Sequence, residues 1–159
     1  MSLIIDGSNG LTFPNSTTQA SAGSVLQVVN ATYGTETGSS SSTFADTGLT
    51  VSITPKFSTS KILVIVDMTG CLKQTNNTGL NLQVLRGSTT IATIASASGN
   101  TTTTTQNDFG SVSCNYLDSP ATTSSTTYKV QFSSQSNNAL VRICQNNSLS
   151  TITVMEIAQ

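Results

Sequence analysis

The sequence predicts an all-β protein, an antiparallel β-sandwich of jelly-roll-like type carrying an extended N-terminal arm. Three observations point there. From Ser24 onward the chain falls into short runs rich in Val, Ile and Thr, many alternating apolar and polar residues with period two. Clusters of Ser, Thr, Asn and Gly separate the runs, and those residue types suit turns. No window carries a sustained helical period with caps. Eight or nine short antiparallel strands joined this way make a sandwich or a jelly roll.

Residues 1–23 are expected to form an anchoring arm and residues 24–159 the sandwich, a knob-like domain. The arm has too few apolar residues for a core of its own and would become ordered on a partner. Its run Asp6-Gly7-Ser8-Asn9-Gly10 reads as a turn, because it lacks the further carboxylates a calcium loop needs. The strands expected after it are Val25–Tyr33, Leu49–Thr54, Lys61–Thr69, Leu80–Arg86, Thr90–Ala95, Ser111–Leu117, Thr127–Ser133, Leu140–Cys144 and Ser150–Ile157. Tyr128, Val130 and Phe132 share one face, with Lys129 and Gln131 on the other; Leu80, Leu82 and Val84 alternate with Asn81 and Gln83 in the same way.

One run breaks the alternation. Ile62-Leu63-Val64-Ile65-Val66 is apolar on both faces of its strand, whereas a two-sheet sandwich normally leaves one face wet. Met155 and Ile157, opposite Ile152 and Val154, repeat the pattern. Either a loop or a second subunit covers the outer side. The poverty of charge favours a subunit, so Leu63, Ile65, Met155 and Ile157 are the expected homo-oligomer interface. The joints Gly38–Ser42, Ser98–Thr105 and Ala121–Ser125 are read as hydroxyl-rich connectors, with adhesive rims for a sugar or partner as the alternative.

Composition excludes more than it identifies. Only 8% of the 159 residues are charged, His and Trp are absent, and the net charge is −1. Acid–base and nucleophilic catalysis need titratable groups held together, and no Ser-His-Asp, Cys-His, phosphate-loop or G-x-S-x-G pattern occurs. Asp46, Asp67, Asp108 and Asp118 could supply a glycosidase pair, but nothing nominates one. No catalytic, cofactor-binding or metal-binding residue is assigned, and no cofactor is expected. Without a basic patch, nucleic acid is not an expected partner. No apolar run is long enough to cross a bilayer, and the N-terminus lacks the pattern of a signal peptide.

Cys71, Cys114 and Cys144 lack metal-ligand spacing and are expected to be free, buried thiols. The sequons at Asn15, Asn30, Asn76, Asn100 and Asn146 are what chance gives in a chain so rich in Asn, Ser and Thr. Arg86, Arg142 and Glu156 lie within strand patterns and are candidates for charge pairing inside an assembly.

The arm also carries a resemblance. Gly10-Leu11-Thr12-Phe13-Pro14-Asn15-Ser16-Thr17-Thr18-Gln19-Ala20-Ser21-Ala22 resembles the TFP-(D/N)-(G/S)-T-x-Q-x-x-A segment of many tailed-phage fibre and virion-surface proteins. The later runs Val25–Tyr33, Phe44–Leu49, Ser60–Val64 and Leu85–Thr89 are similar to the C-terminal β-domain of such proteins, in the same order. The resemblance implies a homotrimeric jelly-roll-like domain on the outside of a tailed-bacteriophage particle, held by its arm. With about twenty residues ahead of the β-domain, no shaft is expected. A capsid decoration or cement protein, or a short capsid fibre, is therefore the expected role, with Leu11, Phe13 and Pro14 anchoring to the major capsid protein or another virion protein. The alternative is a receptor-binding tail fibre or tip that grips a host surface glycan.

Overall fold

The computed structural model describes residues 24–159 in full. Within the first 23 residues it describes the backbone of three short strands, β1 (Ile4–Asp6), β2 (Gly10–Thr12) and β3 (Thr18–Gln19). They form an antiparallel sheet in the order β1-β2-β3, with Asp6 opposite Gly10. Within the expected arm the described backbone is therefore that of three short paired strands. Of the expected anchors, Leu11 lies on β2, while Phe13 and Pro14 fall outside the described residues.

The sandwich is built from β4 (Val25–Tyr33), β5 (Thr37–Ser39), β6 (Ala45–Ile53), β7 (Lys61–Lys73), β8 (Thr78–Arg86), β9 (Thr89–Thr101), β10 (Asn107–Asp118), β11 (Thr126–Ser134), β12 (Val141–Ile143) and β13 (Ser150–Ile157). One sheet runs β4-β13-β7-β10 and the other β6-β11-β8-β9. With the short β5 and β12 set aside, the eight long strands, numbered in chain order, are arranged in the two layers as 1-8-3-6 over 2-7-4-5. That order is the double Greek key of a jelly roll. Beyond the end of β13, β12 takes over the same edge of β7 and carries β5 outward.

The core is the dry space between the two layers. Leu49, Val51 and Ile53 of β6, Leu80, Leu82 and Val84 of β8, and Tyr128, Val130 and Phe132 of β11 face Ile62, Val64, Val66 and Met68 of β7 and Ile152 and Val154 of β13. Period-two alternation makes this possible, since each strand sends every second side chain inward. Cys71 and Cys144 are buried in the same core and Cys114 is half-buried, all as free thiols. Burial pushes the Cys71 thiol up to about 12 and raises the other two, so the three behave as small hydrophobes.

Two irregularities shape the layers. At the β6–β11 pair the register jumps between Lys129 and Gln131, and the fully buried Thr47 repairs the gap. Its Oγ1 donates to the Val130 carbonyl at 2.8 Å and accepts from the Leu49 N–H at 3.0 Å. In β7, Gly70 has φ +57, and a Cβ there would lie 2.3 Å from the Gln145 nitrogen. Only glycine lets the turn between β12 and β13 press against β7 at that point.

At one end the two layers are tied by a polar cluster. Asp118, at the end of β10, is buried and accepts bonds of 2.9 Å from Arg86 Nη1 of β8 to each carboxylate oxygen. It also accepts a 2.7 Å bond from the Tyr128 hydroxyl of β11. Burial, then the bond to Asp118, pushes the Tyr128 hydroxyl up, so it stays a donor throughout the accessible pH range. Asp118→Ala is expected to destabilise by about 3 kcal/mol, because it strands a buried hydroxyl and a partly covered guanidinium. Tyr128→Phe removes one donor and is expected to cost about 1 kcal/mol. Urea titrations of the two variants check the order.

Candidate assembly interface

The outer sides of the two sheets differ in chemistry. On the β6-β11-β8-β9 sheet the outward side chains satisfy one another. Gln131 Nε2 donates to Asp46 Oδ1 at 2.7 Å, Gln83 Nε2 to Gln131 Oε1 at 2.9 Å, and Thr90 Oγ1 to Gln83 Oε1 at 3.3 Å. This ladder crosses all four strands. Lys129 closes on the Asp46 carboxylate at 2.9 Å, and that bond, with the one from Gln131, holds the Asp46 carboxyl below the usual range.

The outer side of β4-β13-β7-β10 is apolar along one row. The register sets Val28 opposite Met155, Met155 opposite Leu63, and Leu63 opposite Leu117, so four apolar side chains line up across four strands. Val28 and Leu117 are each 54% exposed, while Leu63 and Met155 between them are half-covered by their neighbours. Ile65, at 36% exposure, extends the row along β7, and Ile157 with the 53% exposed Val25 extends it at the other end. Farther along β7 the face turns polar, through Asn30, Thr153 and Asn115 and then Thr32, Thr151 and Ser113.

All four residues expected at an oligomer interface, Leu63, Ile65, Met155 and Ile157, therefore share this one face. Among the described residues no loop covers them enough to bury Ile65. Val25, Val28 and Leu117 were missed by sequence reasoning. Their strands were legible, but only the pairing register places them on the row.

Arg86, Arg142 and Glu156 find their partners inside the chain, where pairing inside an assembly was the expectation. Arg86 holds Asp118, and Arg142 holds Glu36 and Gln74. Lys73 is fully buried and donates to the Thr101 carbonyl at 3.2 Å and to Thr104, pinning part of the stretch expected as a loose connector. Glu156 faces inward on β13 and is fully buried. It accepts from Gln27 Nε2 at 2.6 Å and from the backbone N–H groups of Lys56 at 2.7 Å and Phe57 at 3.3 Å. It thereby fixes the segment whose exposed Phe57 walls a cavity of about 410 Å³ with Ser24, Leu26, Thr59, Ala158 and Gln159. Among the described residues, no group of three or more His, Cys, Asp or Glu side chains could hold a metal ion.

No known family and no curated relative matches the sequence. Solved structures that resemble it include the infectious bursal disease virus VP2 subviral particle, at 15% identity over 83% of this chain and 32% of that one, with a TM-score of 0.46. Infectious bursal virus derived T=1 particles align at 14% identity over 86% and 37%, with a TM-score of 0.44. The Gx strain of infectious bursal disease virus aligns at 10% identity over 84% and 33%, also with a TM-score of 0.44. The chain spans about a third of the length of these proteins.

Glu156 gives the protein an acid-sensitive latch. Burial would raise its carboxyl, but the bond from Gln27 and those from the two backbone N–H groups outweigh it and hold the group below the usual carboxylate range. A carboxylate whose folded pKa is depressed contributes stability that is complete above its unfolded value, about 4.3, and is lost as pH falls through the folded one. Glu156→Gln is expected to cost about 2 kcal/mol at neutral pH. The gap in melting temperature from the parent protein should then narrow below about pH 4. Thermal melts from neutral pH down to pH 3 measure it.

Proposed function

We propose that this chain is a non-enzymatic structural protein of a tailed-phage virion. In this reading it is a homotrimeric capsid decoration or cement subunit. Residues 1–23 dock on the major capsid protein or another virion protein, and the sandwich stands outward as a knob. The observation that carries the reading is the apolar row on a sheet face that no described residue covers, in a chain of which only 8% is charged. Such a face is costly in a free monomer and useful in a subunit that other surfaces cover. The jelly-roll strand order supplies a rigid, closed double layer, suited to a shell component. The N-terminal resemblance supplies the particle and the trimer. A protein that binds only the assembled shell stabilises it by mass action.

Antibody labelling of particles is expected to mark the head uniformly, and particles lacking the protein should lose heat resistance. Labelling confined to the tail would replace this reading with receptor attachment. Particles with no label would remove the virion role.

A further inference from the structure

The proposed function, on which this inference rests, makes the chain a homo-oligomer without saying which face joins the copies, and capsid subunits, host surfaces and further copies would all be available to this one on a particle. We infer that the outer face of β4-β13-β7-β10 is buried against a second copy of this chain, with the row Val28–Met155–Leu63–Leu117 at the centre of the contact. The inference names the partner of the face on which the proposed function rests.

Charge argues for a copy. The face's charged residues, Lys61 and Asp67, stand six positions apart on β7, one of each sign at opposite ends of the apolar stretch. Lys61 is also held by Ser119 at 2.6 Å. The face is therefore neutral as a whole, and the net charge of the chain is only −1. A partner recognised through charge would find little to pair with, whereas two copies meet without repulsion. The opposite charges at the two ends give each copy a group to answer on the other.

Area argues the same way. Four strands at about 4.8 Å spacing and eight residues at about 3.3 Å rise give a face of roughly 500 Å² in projection. That is the same order as, and below, the roughly 800 Å² per partner of a standard interface. Leu63 and Met155, half-covered by their neighbours, form the floor, and Val28 and Leu117 stand up on either side. A matching sheet face can interlock with that relief, since sheets pack face to face through interdigitating side chains.

The test is the mass of the full chain in solution, by light scattering on a sizing column across a micromolar dilution series. The parent protein is expected to run as a closed multimer and not as a monomer, and the face-to-face contact itself joins copies in pairs. Val28→Lys and Leu117→Glu, both at exposed positions, should each weaken association at least tenfold and give monomer on dilution, with unchanged far-ultraviolet circular dichroism. Thr50→Glu, on the opposite sheet's outer side, should leave the mass unchanged. If either charged variant unfolds, Leu117→Asn removes the apolar contact without placing a charge and serves in its place. A monomeric parent protein, or a multimer whose mass the Val28 and Leu117 variants leave intact, overturns the inference. Neither outcome touches the particle-labelling experiment, so the contact can fail while the virion role stands.

Discussion

β7 sets the terms for the rest of the molecule. It is the third strand of a four-stranded layer, paired on both edges, and it is apolar on both faces. Its inward residues Ile62, Val64, Val66 and Met68 meet the second layer, and this contact is the core. Two layers offer one dry interior, so Leu63 and Ile65 have no place inside the sandwich. Moving β7 by one residue would bury those two and expel the others, which leaves the same conflict. Among the described residues nothing buries Leu63 and Ile65 fully; in the inferred contact a second copy of the chain does.

The scarcity of charge takes on a structural meaning beside that constraint. Arg86 and Asp118 tie the layers at one end, Glu156 fixes the Lys56–Phe57 backbone, and Lys73 pins Thr101 and Thr104. Arg142 with Glu36 and Lys129 with Asp46 clamp neighbouring segments. Most of the chain's ions are thus committed as internal fasteners. A full surface charge would keep copies apart; this chain spends its few charges holding strands together and leaves its apolar face neutral.

The sequence made the strands legible because apolar alternation survives in it. Val25–Tyr33 and Ser150–Ile157 form strands with those same bounds. The hydroxyl-rich stretches were not legible, because Ser, Thr and Asn suit a solvated loop and a paired strand alike. Gly38 and Ser39 were assigned to a connector and lie in β5, and β9 runs on through Ser98–Thr101. Half of the candidate face was readable, since Leu63 and Ile65 break the alternation within a single strand. Val28 and Leu117 could not be placed, because their position depends on registers with β13 and β7 that no local pattern encodes. The Arg86–Asp118–Tyr128 cluster was hidden for the same reason: it joins three strands through space.

Why association should run through a face and not an edge follows from the edges themselves. β9 borders the second sheet, and an open strand edge is a template for further pairing. Its ladder with β8 shifts register four times, and Ala97 within it has φ +55. The Asn81 side chain takes the Ala97 N–H in place of a strand partner. A strand so interrupted presents no regular row of donors and acceptors to another chain. On the other side of the sandwich, β4 carries a register shift at its pairing with the end of β13, and the bulge opposite Val130 interrupts β6. With β9 interrupted along its length and the polar ladder on the second sheet bonded to itself, the row from Val28 to Leu117 stands, among the described residues, as an apolar surface with no polar partners to lose. Hydrophobic burial there needs no strand exchange and no rearrangement of the sandwich, so a folded subunit can dock as it stands.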